Sequence, residues 1–140
     1  MPVATPRRTS SCLMLGWLLA CIATSAFAAE QICGEAAGDA AAYESCLEST
    51  LVASEDALMV ALERARALAA EVDMRTGHTR ALGVLGSSQE TFSELRRQSC
   101  LLPLELAADE IRGRQLGLAC EIRLTRERAA LLDDLHAGLR

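Results

Sequence analysis

Asp39-Ala-Ala-Ala-Tyr43-Glu-Ser-Cys-Leu47-Glu-Ser-Thr-Leu51-Val-Ala-Ser-Glu-Asp-Ala-Leu58-Met-Val-Ala-Leu62-Glu-Arg-Ala65-Arg-Ala-Leu-Ala69-Ala-Glu-Val72-Asp-Met74 is the stretch that decides the fold class. Tyr43, Leu47, Leu51, Leu58, Leu62, Ala65, Ala69 and Val72 recur at spacings of three, four or seven residues, the repeat that lines up one face of an α-helix. Asp39 is the expected N-cap, because a carboxylate there reaches the free amides of the first turn, and Ala40, Ala41 and Ala42 are strong helix formers. Gly77 is the expected stop. A stripe of this length serves either a coiled-coil dimer or a core within the chain's own bundle, and two further helical segments downstream favour the bundle.

Residues 77–86 are mixed and read as a loop or the irregular start of a second helix. Ser87-x-x-Glu90 has the form of a capping box, so the second helix is expected from there, with Phe92, Leu95 and Ser99 on its inner face and Arg96 and Arg97 alongside. Pro103 is expected to end it, since proline lacks the amide hydrogen and its ring clashes with the preceding turn. Residues 104–113 read as a short turn or loop. The last helix is expected over Arg114 to Leu135, with Leu116, Cys120, Leu124, Leu131 and Leu135 as its stripe, broadened by Ile122 and Leu132. Gly117 inside it costs about 1 kcal/mol relative to alanine. Aromatic residues make up only 3% of the chain and alternating apolar–polar runs are not evident, so strands are not expected. The expected architecture is all-α: a small, disulfide-stabilised antiparallel bundle of about three helices, the first one long.

The first residues read as an address. Arg7 and Arg8 precede an apolar run from Leu13 to Ala23 that is short for a bilayer span, and Ala26-Phe27-Ala28 has the small-x-small form of a signal-peptidase site. Residues 1–28 are therefore expected to be a signal peptide and residues 29–140 the mature domain. The alternative is a lipoprotein signal over 1–20, with Leu18-Leu19-Ala20-Cys21 as the processing site and a lipid on Cys21; only then is a membrane a partner. Export leaves four of the six cysteines, Cys33, Cys46, Cys100 and Cys120, and an even number in an oxidising compartment reads as two disulfides. Of three pairings, Cys33–Cys46 with Cys100–Cys120 is favoured because both bonds close short loops, each contributing about 3 kcal/mol in the chain-entropy model. A zinc site would normally show closely spaced pairs such as C-x-x-C, and none is present.

All 14 basic residues are arginine; two of them leave with the signal, so the mature chain carries 12 positive against 19 negative side chains, or −7. That balance argues against nucleic acid and favours a basic protein partner, because opposite net charge steers encounter. Chemistry has little to work with. His78 and His136 lack a nucleophile in a recognisable motif, Ser87 and Ser88 read as cap residues, and Asp133-Asp134 and Asp109-Glu110 read as solvated faces. No phosphate-binding loop and no cofactor motif is present, so an enzyme is not expected.

Gln89-x-x-Phe92-x-x-Leu95-Arg96-x-x-x-Cys100, followed by Cys120, Leu124, Thr125 and Arg128 in the last helix, resembles the LprI-type lysozyme inhibitor N-terminal domain family. The early pair Cys33 and Cys46, leading into a long helix, is similar as well, so the resemblance spans nearly all of the mature chain. The family usually has tryptophan where Phe92 stands and an aromatic residue where Leu95 stands; both swaps are expected to keep an apolar inner face. Arg96 and Arg128 flank apolar stripes and are expected to pair with a carboxylate or lay their stems along the core. Gln89 is expected to hydrogen-bond a neighbouring helix or chain end. The resemblance implies an exported, periplasmic or cell-envelope protein that binds and inhibits a lysozyme-like muramidase by occlusion. Alternatives are an envelope structural or assembly protein using its long helix, and an immunity-type protein against a cell-wall hydrolase. Within the segment pinned by Cys100 and Cys120, the acids Glu105, Asp109 and Glu110 are the candidate partner contacts.

Overall fold

The computed structural model describes residues 33–139; the export signal read at residues 1–28, with Cys21, lies outside the described residues. A single 3-10 turn, Gly34–Ala36, leads into three helices: α1 over Ala40–Thr76, α2 over Arg80–Leu106 and α3 over Glu110–Gly138, of 37, 27 and 29 residues. The connections are three residues each, 77–79 and 107–109, so consecutive helices run antiparallel. The fold is all-α, and among the described residues there is no strand.

α1 begins and ends where its residues dictate. The Asp39 carboxylate accepts from the amides of Ala41 at 2.9 Å and Ala42 at 3.2 Å, and Gly77 closes the helix at φ 68°, a left-handed conformation that glycine adopts without a Cβ penalty. Leu47, Leu58, Leu62 and Ala69 of its stripe are buried, and the helix packs chiefly on α3.

α2 departs from expectation at both ends. It starts at Arg80, seven residues before the apparent capping box, and Ser87 lies inside it with its hydroxyl donating back to the carbonyls of Gly83 and Val84 at 3.2 Å. The cap comes from the preceding helix instead: the Asp73 carboxylate accepts from the amides of Ala81 at 2.8 Å and Leu82 at 3.1 Å. Those two bonds hold the Asp73 carboxyl below the usual carboxylate range, against an opposing push from burial. Pro103 does not end α2 either. It forgoes one amide bond, and three more residues continue to Leu106 before Ala107 donates to the Pro103 carbonyl at 3.1 Å.

α3 is longer than expected and turns a different face inward. Asp109 caps it by accepting from the Arg112 amide at 2.8 Å, so the helix opens at Glu110. Its buried residues are Gly113, Gln115, Ala119, Ile122, Thr125, Ala129 and Leu132, while Leu116, Leu131 and Leu135 of the expected stripe are exposed. For Leu116 the reason is backbone separation. A Cβ on Gly113 would lie 3.1 Å from Ala107 Cβ and 3.2 Å from Leu104 Cα, and one on Gly117 would lie 3.2 Å from the Cys100 carbonyl. α3 approaches α2 too closely at Gly113 and Gly117 for a large side chain between them, and Leu116 beside them turns outward; further along, Ile122 and Leu132 take the inner face and leave Leu131 and Leu135 outside.

Two disulfides close the structure, Cys33–Cys46 and Cys100–Cys120, in the expected pairing. Both lie at the end of the bundle where α1 begins, α2 ends and α3 begins. The apolar core has two parts. One, at that end, comprises Cys33, Leu47, Ala119 and Ile122, with Tyr43, Leu51 and Leu118 against them; the other comprises Leu58, Ala61, Leu62, Ala129 and Leu132, with Ala65, Leu85 and Phe92.

Candidate functional site

Between the two core clusters sits a polar layer, and residues of the sequence motif build much of it. Ser54 and Thr125 take the inward positions of α1 and α3 and are buried; Thr125 is 0% exposed. Arg96 reaches across from α2, donating through Nη1 to Thr125 Oγ1 at 2.8 Å and to Glu55 Oε1 at 3.0 Å. Arg126 of α3 donates to Ser54 Oγ at 3.1 Å. One turn further along α3, Arg128 donates to Gln89 Oε1 at 3.3 Å and to Ser88 Oγ at 2.9 Å, while its guanidinium carbon lies 5.5 Å from the centre of the Phe92 ring. Gln89, Phe92, Arg96, Thr125 and Arg128 therefore meet along the α2–α3 seam, where they fix register between helices by satisfied polar contacts. Tryptophan is the strongest partner for a cation over its ring, so Phe92 keeps this contact in weaker form. Leu95 does not share it: it is 57% exposed and points away from the inner face.

The charged groups are distributed unevenly along the bundle. Residues 33–48 and 100–121, which form the disulfide-bearing end, carry Glu35, Asp39, Glu44, Glu48, Glu105, Asp109, Glu110 and Glu121 against Arg112 and Arg114, eight minus two, or −6. The remaining residues, 49–99 and 122–139, carry ten carboxylates against nine arginines, or −1. Arg114 lies between Glu44 at 3.2 Å and Glu110 at 3.6 Å, so it joins the start of α1 to the start of α3. Gln115, buried beside it, donates to the Ala40 carbonyl at 3.3 Å. Glu105, Asp109 and Glu110 are all exposed on this end, with Leu102, Leu106 and Ile111 exposed among them. They sit on the last turn of α2, the connector and the first turn of α3, not on an extended loop, and Asp109 is engaged as a cap.

Charge clustering of this kind was present in the sequence, but only the folding of residue 44 onto residue 114 brings the two acidic segments to one end. No grouping of three or more metal-ligating side chains is found among the described residues, and the four described cysteines are all in disulfides. None of the described helices is long and apolar enough to cross a membrane.

No curated protein and no solved structure matches the chain. A family model described as "Lysozyme inhibitor LprI" matches residues 33–132, from the first disulfide cysteine to the last fully buried leucine of α3, a span that takes in both disulfides and the polar layer. On that match, which covers well over half of the chain, the protein belongs to the LprI lysozyme inhibitor family.

Proposed function

We propose that the protein is exported to the cell envelope and inhibits a lysozyme-like muramidase by covering its cleft, with no chemistry of its own. The observation that carries this reading is the −6 charge gathered on the disulfide-bearing end, around exposed Leu102, Leu106 and Ile111. An apolar centre with a charged rim is the usual anatomy of a protein–protein interface. Lysozymes are commonly basic, so the acidic rim draws them in. The two disulfides hold this end in one shape before binding, which lowers the ordering cost of association. The family membership supplies the class of partner.

The purified, unreduced protein should slow lysozyme-driven clearing of a peptidoglycan suspension at near-stoichiometric ratios. The combined variant Glu105→Gln, Asp109→Asn, Glu110→Gln should bind more weakly and with a flatter salt dependence; asparagine keeps the α3 cap, so the fold is preserved. Full inhibition by that variant would remove these acids from the interface, and no effect of the parent protein on several lysozyme classes would sink the proposal. Export follows from the signal read at residues 1–28, with cleavage before Ala29. Labelling with a radioactive fatty acid, against Cys21→Ser, separates this from a lipid anchor on Cys21.

A further inference from the structure

The bundle's other end, where α1 and α3 finish and α2 starts, holds a groove that is separate from the acidic end and shares Arg128 and Ser88 with the polar seam. Its volume is about 660 Å³ and its walls are predominantly apolar: Leu68 and Val72 from α1, Val84 and Leu85 from α2, Leu135 and Leu139 from α3. That volume lies within the about 300–1,000 Å³ of sites that hold small organic ligands. Along α3 the lining runs from Arg128 to Leu139, about 16 Å at the rise of an α-helix, the length of a long acyl chain lying parallel to the helix.

The polar groups of the lining select the sign of the ligand. They include Arg80, Arg128, His78 and His136, with Asp73 as the sole carboxylate among the described residues. Asp73 is already committed to the amides of Ala81 and Leu82. Neither Arg80 nor Arg128 has a carboxylate within ion-pair distance among the described residues: Arg128 contacts only the neutral Gln89 and Ser88 and the Phe92 ring. His136 has its Nδ1 shielded from solvent with no hydrogen-bond partner among the described residues. In a chain of net charge −5, a groove whose lining holds two arginines against one carboxylate already engaged by backbone amides is complementary to an anion. Polar atoms are a small part of the lining, so the anionic head must be compact, as a carboxylate is.

We propose that this groove binds one long-chain fatty acid, its tail between Val72, Val84 and Leu135 and its carboxylate drawn to the Arg80 guanidinium. The assignment is independent of lysozyme inhibition, since it uses the opposite end of the molecule.

Calorimetric titration of the unreduced protein with sodium myristate, below its micellar concentration, is the test. One site per chain is expected. Val84→Glu and Leu135→Glu sit at half-exposed positions and leave the core intact, and each should weaken myristate at least tenfold with an unchanged circular dichroism spectrum. Arg80→Gln should weaken myristate severalfold and leave myristyl alcohol, which has no charge, unaffected. Absence of myristate binding, or binding indifferent to both glutamate variants, overturns the proposal. So does binding of lysophosphatidylglycerol in place of myristate, or a concentration-dependent mass that Leu135→Glu abolishes, which would make the groove a contact between copies of the chain.

Discussion

Replacing Thr125 with valine isolates the polar layer, because the two side chains have nearly the same shape and only the hydroxyl is lost. Thr125 is 0% exposed and accepts from Arg96 at 2.8 Å, so the variant leaves a cationic donor without its buried acceptor. A hydrogen bond involving a charged group contributes about 1.5–3 kcal/mol. Two features place the loss at the low end of that range. Arg96 keeps Glu55 at 3.0 Å, and its side chain is 23% exposed, so water reaches the vacated donor. The new methyl also returns up to about 0.8 kcal/mol of apolar burial. The net loss should be about 1 kcal/mol, a fall in Tm of about 4–8 °C for a domain near this size. Urea denaturation of the unreduced protein, followed by far-UV circular dichroism, measures it. The decisive measurement is the double-mutant cycle with Arg96→Met. A coupling of about 1 kcal/mol is expected, and additivity within about 0.3 kcal/mol would refute the claim that Arg96 and Thr125 act as a unit.

Three other outcomes follow from the same structure. Gly113→Ala should destabilise by about 1–3 kcal/mol, because its Cβ meets the Leu104 and Ala107 neighbourhood at 3.1–3.3 Å, whereas Gly86→Ala, with nothing within 4 Å, should stabilise α2 by up to about 1 kcal/mol; equal signs in thermal melts would contradict the close α2–α3 approach. Converting both Cys100 and Cys120 to serine opens a loop with a sequence separation of 20 and should cost about 3 kcal/mol in the chain-entropy model, read as a lower urea midpoint. Asp73 has its folded pKa depressed by the Ala81 and Leu82 amides, so its charged form adds stability above the ordinary aspartate range and that contribution fades as pH falls through the folded pKa. Wild type should therefore exceed Asp73→Ala in stability at neutral pH, with the gap narrowing below about pH 4; a gap that does not depend on pH would show that the carboxylate charge is not what caps α2.

The legible parts of the fold were those governed by local rules. The α1 stripe, the Asp39 cap and the Gly77 stop each depend on residues within one or two turns, and each is where the repeat and the capping preference put it. The misread parts depend on partners distant in the chain. Ser87-x-x-Glu90 has cap chemistry, but Asp73, on the other side of a turn, already satisfies amides at the true start of α2. On α3, Leu116, Leu131 and Leu135 outweigh Ala119, Thr125 and Ala129 in hydrophobicity, yet the buried face follows Gly113, Gln115, Ala119, Ile122, Thr125, Ala129 and Leu132, and the close approach at Gly113 and Gly117 is visible only in the tertiary fold. Leu95 is expected on the inner face from its spacing to Phe92, but that face follows Phe92, Arg96 and Cys100 in four-residue steps, which leaves Leu95 off its edge and 57% exposed. Of the candidate site, Arg96, Thr125, Gln89 and Arg128 are individually visible as a motif, while their joining into one layer, and the gathering of acids at one end, need the tertiary fold.

Both covalent links close loops at the same end of the molecule: Cys33 to Cys46 and Cys100 to Cys120. Residues 47–99, from just inside α1 through the 77–79 turn to the last residue before Cys100, lie outside either loop. The covalent constraint is thus concentrated at one end of the long axis. Amides of early α3 and early α1 should exchange hydrogen only on global unfolding, while those around Asp73, Arg80 and Leu135 should exchange through local opening of much lower free energy. Reduction of the disulfides should erase the difference in exchange rate between the two ends before it removes the helices.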